Sequence, residues 1–266
     1  MKKQKHSLFR CLIKLKPIKT AENILRVHSI ESFGTQDGPG IRLIVFLQGC
    51  KLKCLYCHNP DSIETSGGKE YHIEELVQMA FKMKSYFGKK GGVTVSGGEP
   101  LLQSKALIFF FKRLKEEGIH TNIDTNGRIL NHFSKELLDD YADLIMLDIK
   151  HMTEEGYVAL TGRHNKEIAF NLAKHREASG KKMWLRYVLI PEITDDPELL
   201  HALGKHFKGY KTIEKIEIQP YHKLGIHKWE ALGWDYQLKG ARENTEQELQ
   251  IASNILKNYF KEVKIN

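Results

Sequence analysis

The chain has 266 residues, of which 41% are hydrophobic and 28% charged, as in ordinary globular proteins, and this length suffices for a single α/β barrel. No apolar run approaches the roughly 20 residues of a membrane span, so we expect no membrane contact. Residues 1–20 hold seven of the 41 Lys and Arg residues and no acidic residue, which leaves 34 basic against 33 acidic residues elsewhere; despite the net charge of +8, we therefore expect no nucleic-acid partner.

Residues 1–20 form a segment that we interpret as appended to the folded part. Their apolar residues are interrupted by Arg10 and Lys14, which suits a secretory signal poorly, and an organelle-targeting peptide is only weakly indicated. We predict a flexible basic tail without a catalytic role, followed by a single domain over residues 21–266. Cys11 lies in this tail and is expected to be an incidental thiol.

Beyond the tail, short apolar runs alternate with helical patterns. A weak strand pattern covers 27–33, and six stronger ones cover 41–47, 93–95, 120–124, 144–149, 182–189 and 213–218. The helical patterns cover 73–87, 106–115, 134–140, 167–178, 197–207 and 245–259. Strands separated by helices predict an α/β fold with a parallel sheet, and six such units are fewer than the eight of a closed barrel.

Three of the four cysteines lie within eight residues. Cys50, Cys54 and Cys57 are separated by three and then two residues. A [4Fe–4S] cluster takes one thiolate for each iron, so this loop would supply three ligands and leave one iron open to a substrate or cofactor. A structural zinc site takes four ligands, and the nearest fourth one, His58, directly adjoins Cys57. A disulfide framework is disfavoured because cysteine is sparse.

Polar motifs follow four of the predicted strands, at the ends where parallel α/β folds collect functional residues. They are Ser96-Gly97-Gly98-Glu99-Pro100, Asp124-Thr125-Asn126-Gly127, Asp148-Ile149-Lys150 and Gln219-Pro220-Tyr221-His222. Taken alone, each motif also has an ordinary structural interpretation: in the same order, a glycine turn, an Asx turn, an ion pair and a capping histidine. Before the first strong strand, residues 34–40 contain three glycines and a proline and predict a turn-rich loop.

The cysteine spacing, with an aromatic residue before the last cysteine, resembles the signature of radical S-adenosylmethionine (SAM) enzymes. The surrounding motifs resemble those of the pyruvate formate-lyase-activating enzymes, and matching segments continue over roughly residues 25–264. These motifs are Asp37-Gly38-Pro39-Gly40-Ile41-Arg42, Gln48-Gly49-Cys50 and Leu55-Tyr56-Cys57-His58-Asn59. The resemblance implies an open partial (β/α)6 barrel of the TIM type, the radical SAM fold, and the six predicted strands agree with it.

The resemblance also implies roles for individual residues. Cys50, Cys54 and Cys57 would ligate the [4Fe–4S] cluster and act in catalysis through it. The implied SAM-binding residues are Tyr56, Cys57, His58, Gly98, Asp148, Ile149, Lys150, Arg186 and His222, with Gly97 and Glu99 in the same motif as Gly98. The implied ligands of a monovalent cation, Na⁺ or K⁺, are Asp124, Thr125, Met146 (through its carbonyl) and Asp148. Asp37 matches a position implicated in contact with the protein substrate.

The implied activity is reductive cleavage of SAM at the cluster. The resulting 5′-deoxyadenosyl radical would take a hydrogen atom from a backbone glycine Cα of pyruvate formate-lyase. A flavodoxin or ferredoxin would deliver the electron, and we expect a monomer in an anaerobic, reducing cytoplasm. Because the radical chemistry belongs to the cofactor, we expect no acid–base pair.

Other functions stay open at this point. The activator of a different glycyl-radical enzyme is one, although many such activators carry extra cysteines in an insertion and the 38 residues between Cys57 and Ser96 contain none. An RNA-modifying enzyme of the same superfamily would need an added RNA-binding domain. An iron–sulfur electron-transfer protein would need a fourth cysteine at the cluster.

Overall fold

The computed structural model describes residues 23–266, and these residues build one sheet of nine strands. The predicted tail, residues 1–20 with Cys11, lies outside the described residues. The strands are β1 (Ile24–Gly34), β2 (Arg42–Leu47), β3 (Lys69–His72), β4 (Gly92–Gly97), β5 (His120–Thr125), β6 (Leu144–Asp148), β7 (Met183–Leu189), β8 (Ile213–Pro220) and β9 (Val263–Ile265). Their spatial order is β3-β1-β2-β4-β5-β6-β7-β8-β9.

The six strongly predicted strands are the neighbouring parallel strands β2, β4, β5, β6, β7 and β8. β1 is antiparallel to both β2 and β3, and β9 adds a short parallel strand beside β8. The outermost strands β3 and β9 do not pair with each other, so the sheet is open in the part of the chain that the structure describes. The predicted open partial barrel is confirmed, and the sequence patterns missed only the two short edge strands.

Eight α-helices accompany the sheet over residues 23–266: α1 (Ile73–Phe87), α2 (Ser104–Glu116), α3 (His132–Glu136), α4 (Glu154–Thr161), α5 (Glu167–Ala178), α6 (Pro197–Phe207), α7 (Ile226–Ala231) and α8 (Glu246–Leu256). The short helices α4 and α7 were not predicted. The predicted start of a helix at Ser134 was wrong, because Asn131 is the N-cap of α3 and exchanges hydrogen bonds with Ser134. A π-helical turn, Leu137–Tyr141, then continues α3. None of the helices described is long and apolar enough to cross a membrane.

The two faces of the parallel strands differ because side chains alternate along a strand. On the outer face, residues such as Leu43, Val45 and Leu47 of β2 join the helices in one core. The inner face carries buried polar and charged residues: Arg42, Thr94, Asn122, Asp124, Arg186 and Glu217. Burying such groups requires hydrogen-bond or ionic partners. Some of these partners are neighbouring strand residues, and others come from a segment that packs against the inner face.

That segment is residues 35–40, predicted only as a turn-rich loop. The carbonyl of Gln36 accepts a hydrogen bond from Arg186 on β7, and the carbonyl of Asp37 accepts one from Asn122 on β5. Gly40 has a φ of +70°, and a Cβ there would lie 2.6 Å from the backbone nitrogen of Gly91. The chain can therefore turn back at Gly40 to enter β2 only without a side chain.

Candidate active site

A cavity of about 300 Å³ lies at the carboxyl ends of the parallel strands. Its lining brings together most of the residues named from the sequence: Asp37, Cys50, Cys54, Tyr56, Cys57, His58, Gly98, Asp124, Asp148, Lys150, Arg186 and His222. Thr125, Met146 and Ile149 do not line this cavity. Residues that follow different strands therefore lie together at one cavity, as expected for the carboxyl ends of parallel strands.

The cysteine loop, residues 50–57, is held from several parts of the chain. The N–H of Cys50 donates to the carbonyl of Ile63, and the N–H groups of Lys53 and Leu55 donate to carbonyls at the end of α4. From α7, the indole N–H of Trp229 donates to the carbonyl of Cys57 over 2.8 Å. These hydrogen bonds fix the path of the loop that carries the thiols.

All three cysteines are free and partly buried. Burial, and next the neighbouring Cys54 thiol, raise the pKa of Cys50 and of Cys57 to about 12. Burial also raises the pKa of Cys54, against the opposing charge of Lys150. A buried thiolate is therefore costly on its own, whereas a bound metal compensates its charge. Three thiols from one loop at one cavity fit the donor chemistry of an iron–sulfur cluster.

Within residues 23–266, no three His, Cys, Asp or Glu side chains are placed as ligands of a single metal ion. Two hydrogen bonds reach the sulfur of Cys50, from the N–H of Leu52 at 3.4 Å and from the side-chain amide of Asn126 at 3.5 Å. The role of Asn126 was missed, because its motif predicts an Asx turn and gives no sign that the amide reaches a thiol.

The Gly-Gly-Glu motif after β4 packs directly against the cysteine loop. The N–H of Gly98 donates to the carbonyl of Leu47, and the N–H of Glu99 donates to the carbonyl of Gly49. The Glu99 carboxylate is fully buried and accepts hydrogen bonds from the N–H of Leu101, the hydroxyl of Thr125 and the N–H of Asn126. Burial raises its pKa to about 7, although these hydrogen bonds oppose the shift. Glu99 thus fixes the turn after β5 and does not line the cavity.

Asp124 offers one free carboxylate oxygen near the cavity. Its Oδ2 accepts hydrogen bonds from the Ser96 hydroxyl at 2.8 Å and from Arg186 at 3.0 Å, whereas its buried Oδ1 has no partner. Burial raises the pKa of Asp124 to about 6, against the charge of Arg186. The hydroxyl of Thr125 is directed to Glu99, and Met146 lies beside Asp124 in the sheet with its side chain buried.

Two largely buried cations, Lys150 and Arg186, lie among the acidic side chains of the site. Lys150 lies 2.8 Å from Asp148 and 5.3 Å from the ring centre of Tyr56. Although burial alone would lower the pKa of Lys150, the charge of Asp148 outweighs it and the pKa is raised well above its usual value. Lys150 therefore stays charged.

Arg186 connects three acidic side chains. It lies 3.0 Å from Asp124, 3.2 Å from Glu217 and 3.5 Å from Asp37. Glu217 also binds Lys215 at 2.7 Å, and this buried extension of the network was missed. Its only sequence signal is a pair of charged residues, Lys215 and Glu217, which lie two positions apart and so on one face of β8.

His58 and His222 stack at the rim of the cavity, with ring centres 4.2 Å apart. Burial, and next the neighbouring His222, lower the pKa of His58. The Nδ1 atom of His222 is buried without a hydrogen-bond partner, and so is Nε2 of Gln219 nearby in sequence. These two atoms and Oδ1 of Asp124 leave unmet hydrogen-bonding capacity at the cavity, which a ligand would satisfy.

Comparison with known proteins identifies the family. The radical SAM superfamily matches residues 44–203. A pyruvate formate-lyase-activating enzyme of Clostridium pasteurianum is 46% identical over 215 residues, which cover 80% of this chain and 89% of that one. The pyruvate formate-lyase 1-activating enzyme of Escherichia coli K12 is 42% identical over 237 residues, covering 88% and 96%. The chain belongs to the pyruvate formate-lyase-activating enzyme family. The resemblance stated from the sequence is confirmed.

Members of the radical SAM family use a [4Fe–4S] cluster and SAM, and the free thiols at the cavity fit that requirement. Among solved structures, Streptococcus suis SuiB bound to its precursor peptide SuiA superposes with a TM-score of 0.66 at 18% identity. The match covers 85% of this chain and 48% of SuiB. At this identity the likeness supports the fold alone.

Proposed function

We propose that this protein activates pyruvate formate-lyase by forming a glycyl radical on it. The observation that carries the proposal is the cavity in which three free thiols meet the polar strand ends, in a chain 42–46% identical to activating enzymes over most of its length. Cys50, Cys54 and Cys57 hold the [4Fe–4S] cluster. When bound, cluster and SAM supply the 5′-deoxyadenosyl radical that removes hydrogen from the glycine Cα.

The other residues of the cavity bind and orient SAM. Lys150 and Arg186 are buried cations, and Lys150 remains charged to receive a carboxylate. Gly98 lets a ligand approach the backbone, and the stacked imidazoles of His58 and His222 provide a flat surface at the rim. We also assign Tyr56, Cys57, Asp148 and Ile149 to this group.

We further assign a monovalent cation, Na⁺ or K⁺, to the strand ends beside SAM. Its ligands are Asp124, Thr125, Asp148 and the carbonyl of Met146. The support is the buried, unpartnered Oδ1 of Asp124, since oxygen ligands suit hard cations. The hydroxyl of Thr125 donates to Glu99 and accepts from the N–H of Gly127, which leaves one oxygen lone pair for a cation.

The protein substrate and the electron donor complete the proposal. Asp37, held by Arg186 at the cavity, contacts the glycine segment of pyruvate formate-lyase. A flavodoxin or ferredoxin delivers the electron to a monomeric enzyme in a reducing cytoplasm.

The test is anaerobic EPR. Reconstituted protein, photoreduced and mixed with SAM and pyruvate formate-lyase, is expected to produce a glycyl-radical doublet. C54A should abolish the doublet, whereas C11A, outside the cysteine loop, should retain it. Cleavage of SAM without a doublet would refute the assigned substrate and favour another glycyl-radical protein. A fully assembled cluster that cleaves no SAM would refute the enzyme and favour electron transfer.

A further inference from the structure

Gln219 is a polar residue of the cavity that none of the roles above uses. It lies near the end of β8, lines the cavity, and its buried Nε2 has no hydrogen-bond partner. A buried amide N–H without a partner is costly, so such a group in a cavity indicates a missing acceptor. The other two unpartnered atoms there, on Asp124 and His222, belong to residues already assigned to the cation and to SAM.

The position of Gln219 relates it to Asp37. Gln219 pairs in register with Val188, two residues beyond the pair formed by Arg186 and Glu217. At about 3.3 Å per residue, its side chain therefore stands roughly 7 Å farther along the same face. Arg186 in turn lies 3.5 Å from Asp37. An acceptor, Asp37, and a donor, Gln219, thus flank one buried arginine.

The open side of the sheet lies next to Gln219. The pairing of β9 with β8 ends at Ile218, so Gln219 and Pro220 extend past the last strand that the structure describes. Because Gln219 lines the cavity, a segment that enters the cavity can contact this donor. Arg186 and His222, assigned above to SAM, lie near Gln219, so the affinity for SAM has to be measured beside the affinity for the peptide.

We infer that Gln219 recognises the protein substrate by donating a hydrogen bond to a backbone carbonyl next to the target glycine. A glycine has no side chain to bind, so its peptide groups and those beside it are what a site can hold. Asp37 can accept a hydrogen bond from a peptide N–H, and Gln219 can donate one to a peptide carbonyl. Main-chain hydrogen bonds of this kind provide the affinity in other sites that bind extended peptides. This inference rests on the proposed function and names a substrate-binding residue for it.

The test measures binding without turnover. Oxidised, SAM-loaded protein is titrated with a fluorescent eight-residue peptide centred on the radical glycine of pyruvate formate-lyase. Q219L should weaken peptide binding about 5- to 10-fold, as expected for one buried hydrogen bond, and leave SAM affinity within about twofold. Q219E keeps the shape of the side chain but replaces its NH₂ donor with an acceptor oxygen, and it should weaken peptide binding at least as much as Q219L. Q247L, at an exposed glutamine of α8, should change neither affinity.

A second series identifies the carbonyl. Peptides in which one amide beside the glycine is reduced to CH₂–NH should bind the wild type more weakly than the unmodified peptide does. For one of these positions, Q219L should bind the reduced and the unmodified peptide with equal affinity, which identifies the carbonyl that Gln219 contacts. In turnover, Q219L should raise KM for the peptide with little change in kcat. A weaker affinity for SAM with unchanged peptide affinity, or no change in either, would overturn the role of Gln219. A wild type that puts no radical on pyruvate formate-lyase would instead overturn the proposed function.

Discussion

Substituting alanine at Gly98 tests how closely the Gly-Gly-Glu motif packs on the cysteine loop. A Cβ on Gly98 would lie 2.2 Å from the carbonyl oxygen of Gly49 and 2.7 Å from its carbon. Carbon–oxygen contacts normally begin near 3.3 Å, so the two backbones would have to separate by about 1 Å. No side chain can rotate away to relieve the contact, because both atoms belong to the backbone.

The magnitude follows from what this separation breaks. Two backbone hydrogen bonds join the loops here, from Gly98 to Leu47 at 2.9 Å and from Glu99 to Gly49 at 2.7 Å. Each contributes about 1 kcal/mol, and overpacking adds about 1–3 kcal/mol. We therefore expect G98A to lower the free energy of unfolding by about 3–5 kcal/mol, and Tm by about 9–15 °C.

The assay is urea unfolding of cluster-free protein followed by circular dichroism, together with iron per chain after reconstitution. Gly209 is the matched control, because a Cβ there meets no atom within 4 Å and its φ lies outside the left-handed region. G209A should stay within about 0.5 kcal/mol of the wild type or be slightly more stable. If G98A were as stable as G209A and took up full iron, the close contact described here would be refuted.

Three further predictions concern parts of the fold away from the thiols. R176M should lower the free energy of unfolding by about 3–5 kcal/mol in urea unfolding, because buried Arg176 donates to the carbonyls of Leu138, Ala142 and Lys182. R242M, at an exposed ion pair, should lower it by less than about 1 kcal/mol. Equal losses in the two variants would contradict the argument from burial. Burial, and next the charge of Arg42, lower the pKa of His120 to about 4, so the unfolded chain binds more protons between pH 6.5 and 4 and stability should fall as the pH drops through that window; a denaturation series in which H120N keeps the same slope would exclude this cause. W229F removes the donor to the Cys57 carbonyl, so it should cost about 1 kcal/mol in urea unfolding and also lower the iron content after reconstitution. W184F, whose indole binds Glu214 outside the cysteine loop, should leave the iron content unchanged.

The parallel strands were predictable for a physical reason. Packing against helices requires aliphatic residues on one face, and runs such as 41–47 and 144–149 show them clearly. The edge strand β3, Lys69–His72, is polar, so its sequence is equally typical of a loop. Residues 69–72 form a strand because they pair with β1, and the local sequence pattern does not show that pairing.

The candidate site was predictable in position but not in its connections. Strand-end motifs located the cavity, and the resemblance named most of its lining. The inner-face network of Arg186, Glu217 and Lys215 was not predictable, because a polar residue on a strand is as compatible with solvent as with a buried partner. The packing of residues 35–40 against the inner face was missed for the same reason: glycine and proline indicate a turn but not what the turn packs against.

The anchoring of the cysteine loop by the C-terminal part of the chain constrains the order of events during biosynthesis. Trp229, which holds the carbonyl of Cys57, lies 172 residues after it, and Lys228, which binds Asn59, lies 169 residues after its partner. At 5–20 residues per second, a ribosome needs roughly 10–30 s to cover that distance. During this interval the loop has its partners at Ile63 and, later, at the end of α4, but not yet those on α7. The loop can therefore reach the conformation described here only after residue 229 has been made.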